Sequence, residues 1–150
     1  MATENSLTER SDSYSVSIDA PPAFVWATLA KVADWPHFSP FARQVKQLSP
    51  TEYEVTSPQG PVMLTSNFVE DLRLLDHTVT LPDGTEVFIP YRVAPNHRGS
   101  ELIMTNVKSP ADSMAEYEEQ LSWMRTELDQ AKQHVEERYA LVAQADREWG

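Results

Sequence analysis

The sequence of 150 residues contains no cysteine and only four glycines, against eleven prolines. The absence of cysteine excludes disulfides, thiolate metal sites, iron–sulfur clusters and cysteine nucleophiles. Four glycines leave little room for a glycine-rich phosphate loop, and the sequence contains no such pattern. The abundance of proline indicates that the turns of this chain are rigid more often than flexible.

Positive charge is also scarce, because 12 Lys and Arg stand against 23 Asp and Glu and give a net charge of −11. A surface with this balance does not suit the phosphate backbone of nucleic acids or anionic lipid, so neither is expected as a partner. No apolar run approaches the roughly 20 residues of a membrane-spanning helix, and the N-terminus lacks an apolar targeting segment. We expect one soluble, cytoplasmic domain without membrane insertion.

Alternating apolar and polar residues predict seven strands after a polar, disordered N-terminal tail over residues 1–12. The turn Pro82-Asp83-Gly84-Thr85 is a strong connection, because Asp-Gly supplies the positive φ that tight hairpins require. The regular spacing is typical of an antiparallel meander. The predicted strands cover residues 14–18, 43–48, 52–56, 62–69, 72–81, 86–94 and 101–107.

Helices are predicted at two places, two short ones after the first strand and one long one after the last. From residue 111 to about residue 143 no proline or glycine interrupts the chain. Apolar residues at spacings of three and four form one stripe along this helix: Met114, Tyr117, Leu121, Met124, Leu128, Ala131, Val135 and Tyr139. The sequence thus predicts an α+β domain over residues 13–143, with a curved antiparallel sheet around a long C-terminal helix and a tail over 144–150.

Two segments near the N-terminus carry a family resemblance. The first is Ile18-Asp19-Ala20-Pro21-Pro22-Ala23-Phe24-Val25-Trp26, and the second is Asp34-Trp35-Pro36-His37-Phe38-Ser39-Pro40. Together with the order of elements they resemble the START-like superfamily (SRPBCC, Bet v 1-like, helix-grip fold) of polyketide cyclases, pollen-allergen-type carriers and lipid-transfer domains. The resemblance covers about residues 13–140. It implies a largely apolar pocket between the long helix and the concave sheet face, but no universally catalytic residue.

His77, Tyr91 and Arg92 are the candidate catalytic residues. His77 shares a strand face with Leu75 and Val79, so it is either a satisfied core histidine or a general acid–base near neutral pH. Tyr91 lies on an apolar face and offers either a core aromatic ring or a phenol to a ligand. Arg92 points the other way and is either an exposed arginine or a clamp for a carboxylate or carbonyl.

Aromatic, apolar and amide side chains on the expected inner surfaces are the candidate ligand-binding residues. Asparagine is disfavoured in strands, so Asn67 and Asn106 either satisfy a backbone group or hold a ligand oxygen. The candidates on the long helix are expected mainly as core residues, and they line the pocket where the sheet curves away from the helix. The full set is Trp35, His37, Phe38, Met63, Asn67, Met104, Asn106, Tyr117, Leu121, Met124 and Leu128.

No metal or other cofactor is expected, because the four histidines are scattered and none has the i, i+2 or i, i+4 spacing of a metal site. The acidic residues of the long helix, Glu127 among them, are expected to form a solvated face. Trp123 lies off the apolar stripe, which indicates a homodimer contact, a pocket edge or ordinary partial exposure.

Functions of different classes fit these observations. The first is an enzyme that promotes cyclisation or dehydration of a polyketide-like substrate, with His77 moving a proton and Tyr91, Asn67 or Arg92 stabilising an enolate oxygen. The second is a carrier that holds a hydrophobic ligand without turnover. A third is a protein-binding adaptor that uses the acidic surface.

Overall fold

One antiparallel sheet and one long helix form most of the computed structural model, which describes residues 6–149. Helix α1 spans Pro22–Leu29, a 3₁₀ helix spans Val32–His37, and helix α2 spans Met114–Trp149. The predicted α+β arrangement of a sheet around a long C-terminal helix is confirmed. The strands are β1 (Ser11–Ile18), β2 (Gln44–Gln47), β3 (Glu52–Ser57), β4 (Gly60–Val69), β5 (Leu74–Thr80), β6 (Glu86–Ile89), β7 (Tyr91–Asn96) and β8 (Gly99–Val107).

The strands lie in the order β1-β8-β7-β5-β4-β3-β2, with β6 paired to β5, and the pairs are antiparallel. Successive side chains point to opposite faces, so alternate residues of each strand share a face. Buried residues stand opposite one another across the strands, as with Tyr53 and Leu64 or Val93 and Leu102. We call this buried side, against which α2 packs, the inner face.

The strand predicted over residues 86–94 is wrong as a single element, because the structure divides it at Pro90 into β6 and β7. Proline has no N–H to donate into the ladder. The next amide, that of Tyr91, donates to Oδ1 of Asp76 at 2.8 Å. The register on β5 continues across the break, since His77 stands opposite Ile89 and Leu74 opposite Arg92. Tyr91 therefore keeps the same face as Ile89.

Helix α2 turns its apolar stripe towards the inner face. Six of the eight predicted stripe residues are buried, namely Tyr117, Leu121, Met124, Leu128, Ala131 and Val135, whereas Met114 is 45% exposed. The Tyr117 hydroxyl lies 2.8 Å from Oδ2 of Asp12 and 3.0 Å from the carbonyl oxygen of Asn106. Burial and the Asp12 carboxylate together raise the pKa of Tyr117 to about 12. These contacts fix the start of α2 to β1 and β8.

The short helices are fixed to their surroundings by two indole hydrogen bonds. Trp26 donates its Nε1–H to the carbonyl of Leu74 in β5 at 2.8 Å. Trp35 donates its Nε1–H to the carbonyl of Leu29 at the end of α1, also at 2.8 Å. The bond from Trp35 holds its large ring in one position at the inner face.

Regular secondary structure extends into both predicted tails. The tail over residues 1–12 overlaps β1, which begins at Ser11, and its first five residues lie outside the described residues. The tail over 144–150 is helical as far as Trp149, because neither proline nor glycine interrupts the chain before Gly150, which is also not described. Within residues 6–149, no helix is long and apolar enough to cross a membrane.

Candidate functional site

His77 lies on the inner face of β5 and is 4% exposed. Its Nδ1 is 2.9 Å from the carbonyl oxygen of Leu75. Because a carbonyl only accepts, Nδ1 carries the proton, and in the neutral ring Nε2 is then an unprotonated acceptor. Burial lowers the pKa of His77 below its ordinary value of 6.5, while the Leu75 carbonyl and the charge of Asp76 act in the opposite direction. The ring is therefore neutral at physiological pH, with a basic Nε2.

Two aromatic rings meet the imidazole edge-on. The Trp35 ring lies 5.4 Å from that of His77 with an interplanar angle of 67°, and the Tyr91 ring lies 6.0 Å away at 77°. Such edge-to-face pairs fix the orientation of a ring as well as its position. Trp35 and Tyr91 thus hold the imidazole in a defined orientation inside the molecule.

Tyr91 faces inward from β7 and is 2% exposed. Burial, and secondarily the nearby Glu127, raises the pKa of its hydroxyl well above the ordinary value, so the phenol stays protonated. Within residues 6–149, Nε2 of His77 and the Tyr91 hydroxyl have no hydrogen-bond partner. Every fully buried side-chain nitrogen or oxygen in this part of the chain does have one, so these two atoms are not fully buried. Both atoms must therefore border accessible space.

Glu127 and Ser39 add two polar groups that the sequence reasoning missed. Ser39 is 6% exposed and donates its hydroxyl to Oε1 of half-buried Glu127 at 2.9 Å. The same Oγ accepts from the amides of Phe41 and Ala42, both at 3.2 Å, which holds the turn after the 3₁₀ helix. We call His77, Tyr91, Trp35, Glu127 and Ser39 the inner cluster.

Burial raises the pKa of Glu127 above its ordinary value of 4.5, and the hydrogen bond from Ser39 offsets part of this effect. A raised folded-state pKa means that the folded chain binds more protons than the unfolded chain between the two pKa values. The contribution of this carboxyl group to stability is therefore complete below pH 4.5 and is lost as the pH rises through the folded-state pKa.

We expect Glu127→Gln to stabilise the protein at pH 8 by on the order of 1 kcal/mol, because the charge is removed and glutamine still accepts from Ser39. The gain should shrink to nothing as the pH falls below 4.5. Urea unfolding of the wild-type protein and the variant at a series of pH values measures this difference in the free energy of unfolding. Glu118→Gln, on the exposed side of the same helix, is the matched control. A difference that does not vary with pH would contradict the shifted pKa.

Most of the apolar candidates predicted from the sequence lie together on the inner side of the molecule. They are 0–8% exposed and come from the sheet, from α2 and from the segment around the 3₁₀ helix: Trp35, Phe38, Met104, Tyr117, Leu121, Met124 and Leu128. Tyr117 uses its hydroxyl to hold Asp12 and the Asn106 backbone, so only its ring remains available. Asn106 is also on the inner side, and its amide donates to Gln120.

Three predicted residues lie on the opposite face of the sheet. Arg92 is exposed and forms an ion pair with Asp76 at 3.2 Å, so it lies outside the inner cluster. Asn67 is exposed, and Met63 is half-buried with its strand partner Glu54 on the outer face. All three placements follow from strand alternation, because Leu64, Leu75 and Tyr91 occupy the inner positions.

A groove runs along the outside of α2 beside the 3₁₀ helix, and His37 lies in it rather than in the interior. Its volume is about 390 Å³, and we call it the lateral groove. The lining residues are Pro36, His37, Phe38, Ser39, Gln130, Gln133, His134 and Glu137. Among the residues the structure describes, no group of three or more histidine or acidic side chains is placed to hold a metal ion.

A curved antiparallel sheet closed by one long C-terminal helix is the helix-grip arrangement of START-like proteins. The family model for "Polyketide cyclase / dehydrase and lipid transport" matches residues 18–113, and the chain belongs to this family. A comparison with curated protein sequences finds no match.

Solved structures show the same fold at low sequence identity. An aromatase/cyclase from Streptomyces, Zhui, is 16% identical with a TM-score of 0.68, over 87% of this chain and 95% of that one. Ara h 8.0201 is 16% identical with a TM-score of 0.64, over 84% and 97%. A START superfamily protein from Mycobacterium smegmatis is 15% identical with a TM-score of 0.62, over 83% and 98%. The resemblance of this chain to START-like proteins is thereby confirmed.

Proposed function

We propose that this protein binds a hydrophobic small molecule between the sheet and α2 and promotes the cyclisation or dehydration of a polyketide-like substrate. The observation that carries the proposal is the state of His77, which is neutral, held through Nδ1, and free at Nε2, with its ring in edge-on contact with the ring of Tyr91. A base and a proton donor with separated pKa values in one dry site are the requirement for acid–base catalysis. An aromatase/cyclase shares the fold, which supports the same reaction class.

The reaction would need positioning and two proton transfers. Nε2 of His77 removes a proton from a carbon between two carbonyl groups, and the resulting enolate attacks a second carbonyl of the same chain, forming the carbon–carbon bond. The Tyr91 hydroxyl donates a hydrogen bond to the oxygen on which negative charge develops. That alkoxide then takes a proton, and subsequent loss of water yields the conjugated ring. The apolar walls hold the flexible substrate in a folded conformation that brings the reacting carbons together, and this proximity supplies the largest part of the rate enhancement.

Glu127 fits the role of proton donor to the alkoxide. Its carboxyl group holds a proton more strongly than an exposed carboxyl group, and its field acts on Tyr91. Dehydration would restore the starting state, because protonated His77 gives its proton to the leaving hydroxyl group, which departs as water, and ionised Glu127 takes the second proton from the adjacent carbon. The cycle consumes no redox equivalent and needs only the chain's own side chains.

The direct test is incubation of the purified protein with a poly-β-ketone thioester, followed by mass spectrometry of the products. We expect cyclised and dehydrated products above the uncatalysed background, released free in solution. The heat-denatured protein and buffer alone are the controls. Product yields equal to the background would contradict the enzymatic proposal.

A carrier is the second candidate, favoured by the apolar character of the walls that surround the inner cluster. Leu75, Val79, Val93 and Leu102 face inward from three neighbouring strands, and each is at most 5% exposed. In a carrier, His77 and Tyr91 would only orient the ligand. Native mass spectrometry of protein purified from its own host separates the two roles, because a carrier retains a bound small molecule and an enzyme releases its product.

A further inference from the structure

The backbone ladder along β5 is interrupted at Pro90, directly before Tyr91 of the inner cluster. Because proline has no N–H, it cannot donate to β5 at this point. The register is the same on both sides of the interruption and places Pro90 opposite Asp76. The attachment of β7 beside Tyr91 therefore depends on what the side chain of Asp76 does.

The carboxylate of Asp76 bridges the interruption. Its Oδ1 accepts the amide N–H of Tyr91 at 2.8 Å. The guanidinium of Arg92 donates to the same carboxylate, from Nε to Oδ1 at 3.4 Å and from Nη2 to Oδ2 at 3.2 Å. An amide that donates to an ionised carboxylate forms a charge-assisted bond, which is stronger than a bond between neutral groups. The Asp76 side chain thus fixes the backbone of β7 at its first residue.

Of the two partners of Asp76, the Tyr91 amide is the buried one. The side chain of Arg92 is 55% exposed, whereas that of Asp76 is 9% exposed and Tyr91 as a whole is 2% exposed. Arg92 can turn to solvent without leaving an unpaired buried group. The Tyr91 amide has no such alternative, and a buried donor without an acceptor is costly. Loss of the acceptor is therefore expected to shift β7 at this position.

A shift of β7 at this point would act on the inner face. Asp76 and His77 are neighbours in β5 and point to opposite faces of the sheet. The ring of Tyr91 points inward, with its centroid 6.0 Å from that of His77. Burial and the field of Glu127, but no hydrogen bond, set the state of the Tyr91 hydroxyl, so packing and the backbone place this side chain.

We propose that Asp76 is a positioning residue, which holds the Tyr91 amide from the outer face of the sheet and thereby sets the Tyr91 hydroxyl relative to His77. The inference rests on the proposed function for its effect on turnover, whereas the placement of Tyr91 is measured without a substrate. Asp76 itself touches no substrate and moves no proton. Arg92 assists by pairing with the same carboxylate.

NMR spectroscopy of the full-length chain at pH 7.5, where His77 is neutral, tests the placement. Asp76→Ala removes both the charge and the acceptor, whereas Asp76→Asn removes the charge but keeps an oxygen that accepts from the amide. Asp83→Ala is the matched control, because Asp83 also accepts a backbone amide, that of Thr85 at 2.9 Å. We expect Asp76→Ala to weaken the nuclear Overhauser effects between the His77 and Tyr91 rings and to speed hydrogen exchange of the Tyr91 amide. The other two variants should leave both unchanged.

Unchanged ring contacts and amide exchange in Asp76→Ala would overturn the proposal. Equal changes in Asp76→Asn would overturn it too, by assigning the effect to the charge, as would equal changes in Asp83→Ala. The wild-type protein provides a measurement that does not depend on the folding of Asp76→Ala. Strong protection of the Tyr91 amide from exchange supports the proposal, and exchange as fast as in an unfolded peptide would overturn it.

Turnover of a poly-β-ketone thioester extends the test to the reaction. We expect Asp76→Ala to lower kcat by about tenfold to 100-fold, as for a small misplacement of a catalytic group, with little change in KM and with Asp76→Asn close to wild type. Unchanged kcat in Asp76→Ala would overturn the positioning role. If the wild-type protein forms no cyclised product, the proposed function fails and the role in turnover fails with it. Failure of the NMR test alone refutes only the placement by Asp76, so the two failures are distinguishable.

Discussion

Replacing His77 by glutamine should lower kcat for cyclisation by about 100-fold to 10 000-fold, the usual contribution of a positioned acid–base group. Glutamine can still donate to the Leu75 carbonyl, which His77 meets at 2.9 Å, but it has no basic nitrogen to remove a proton. Turnover of a poly-β-ketone thioester, followed by the absorbance of the aromatic product, measures the effect. We expect KM to change little, because the walls of the site remain.

The pH dependence gives a second signature of the same group. Because burial lowers the pKa of His77, its basic form persists below the ordinary value of 6.5, and kcat/KM should fall only as the pH drops below that value. His97→Asn is the matched control, since His97 is exposed and its φ of 52° is one that asparagine tolerates. Loss of folding stability in His77→Gln, in proportion to the loss of turnover, would assign His77 a structural role instead.

The sequence predicted strand faces well wherever only one of the two alternating residue sets is apolar. In β5, one alternating set consists of Leu75, His77 and Val79, and the other of Leu74, Asp76 and Thr78. The first set is the more apolar and is buried, so the inward position of His77 follows from the pattern. In β4, both sets contain apolar residues, and Met63 and Asn67 were expected inside. Pairing with Tyr53 and Val55 of β3 decides this face, and a single strand carries no information about its neighbours.

Glu127 was missed for a different reason. It lies beside buried Met124 and Leu128 at the border of the apolar stripe, and helix periodicity alone assigns it to the acidic, solvated side. What buries it is the turn around Ser39, which lies 88 positions away in the chain. A contact of this kind appears in no local pattern, although a serine followed by proline after an aromatic segment does indicate a fixed turn. The groove along α2 depends on the same tertiary contact.

Trp35 should be the most costly aromatic residue to remove, and we expect Trp35→Ala to destabilise the protein by about 3–5 kcal/mol. Its ring is 3% exposed, packs edge-on to His77, and donates to the Leu29 carbonyl at 2.8 Å. Alanine leaves a cavity at the inner face together with a buried carbonyl that has lost its partner. Since a domain of this size has a stability of about 5–15 kcal/mol, the loss removes a large share of it.

Trp35→Phe separates packing from hydrogen bonding. Phenylalanine keeps an aromatic edge against His77 but cannot donate to Leu29, so we expect a smaller loss of about 1–3 kcal/mol by urea unfolding. Trp26 is the natural comparison, because its indole also donates at 2.8 Å, to Leu74, but its ring is only half-buried. Trp26→Ala should therefore cost less than Trp35→Ala. Equal losses at the two positions would mean that the hydrogen bond, and not the packing around His77, dominates the contribution of Trp35.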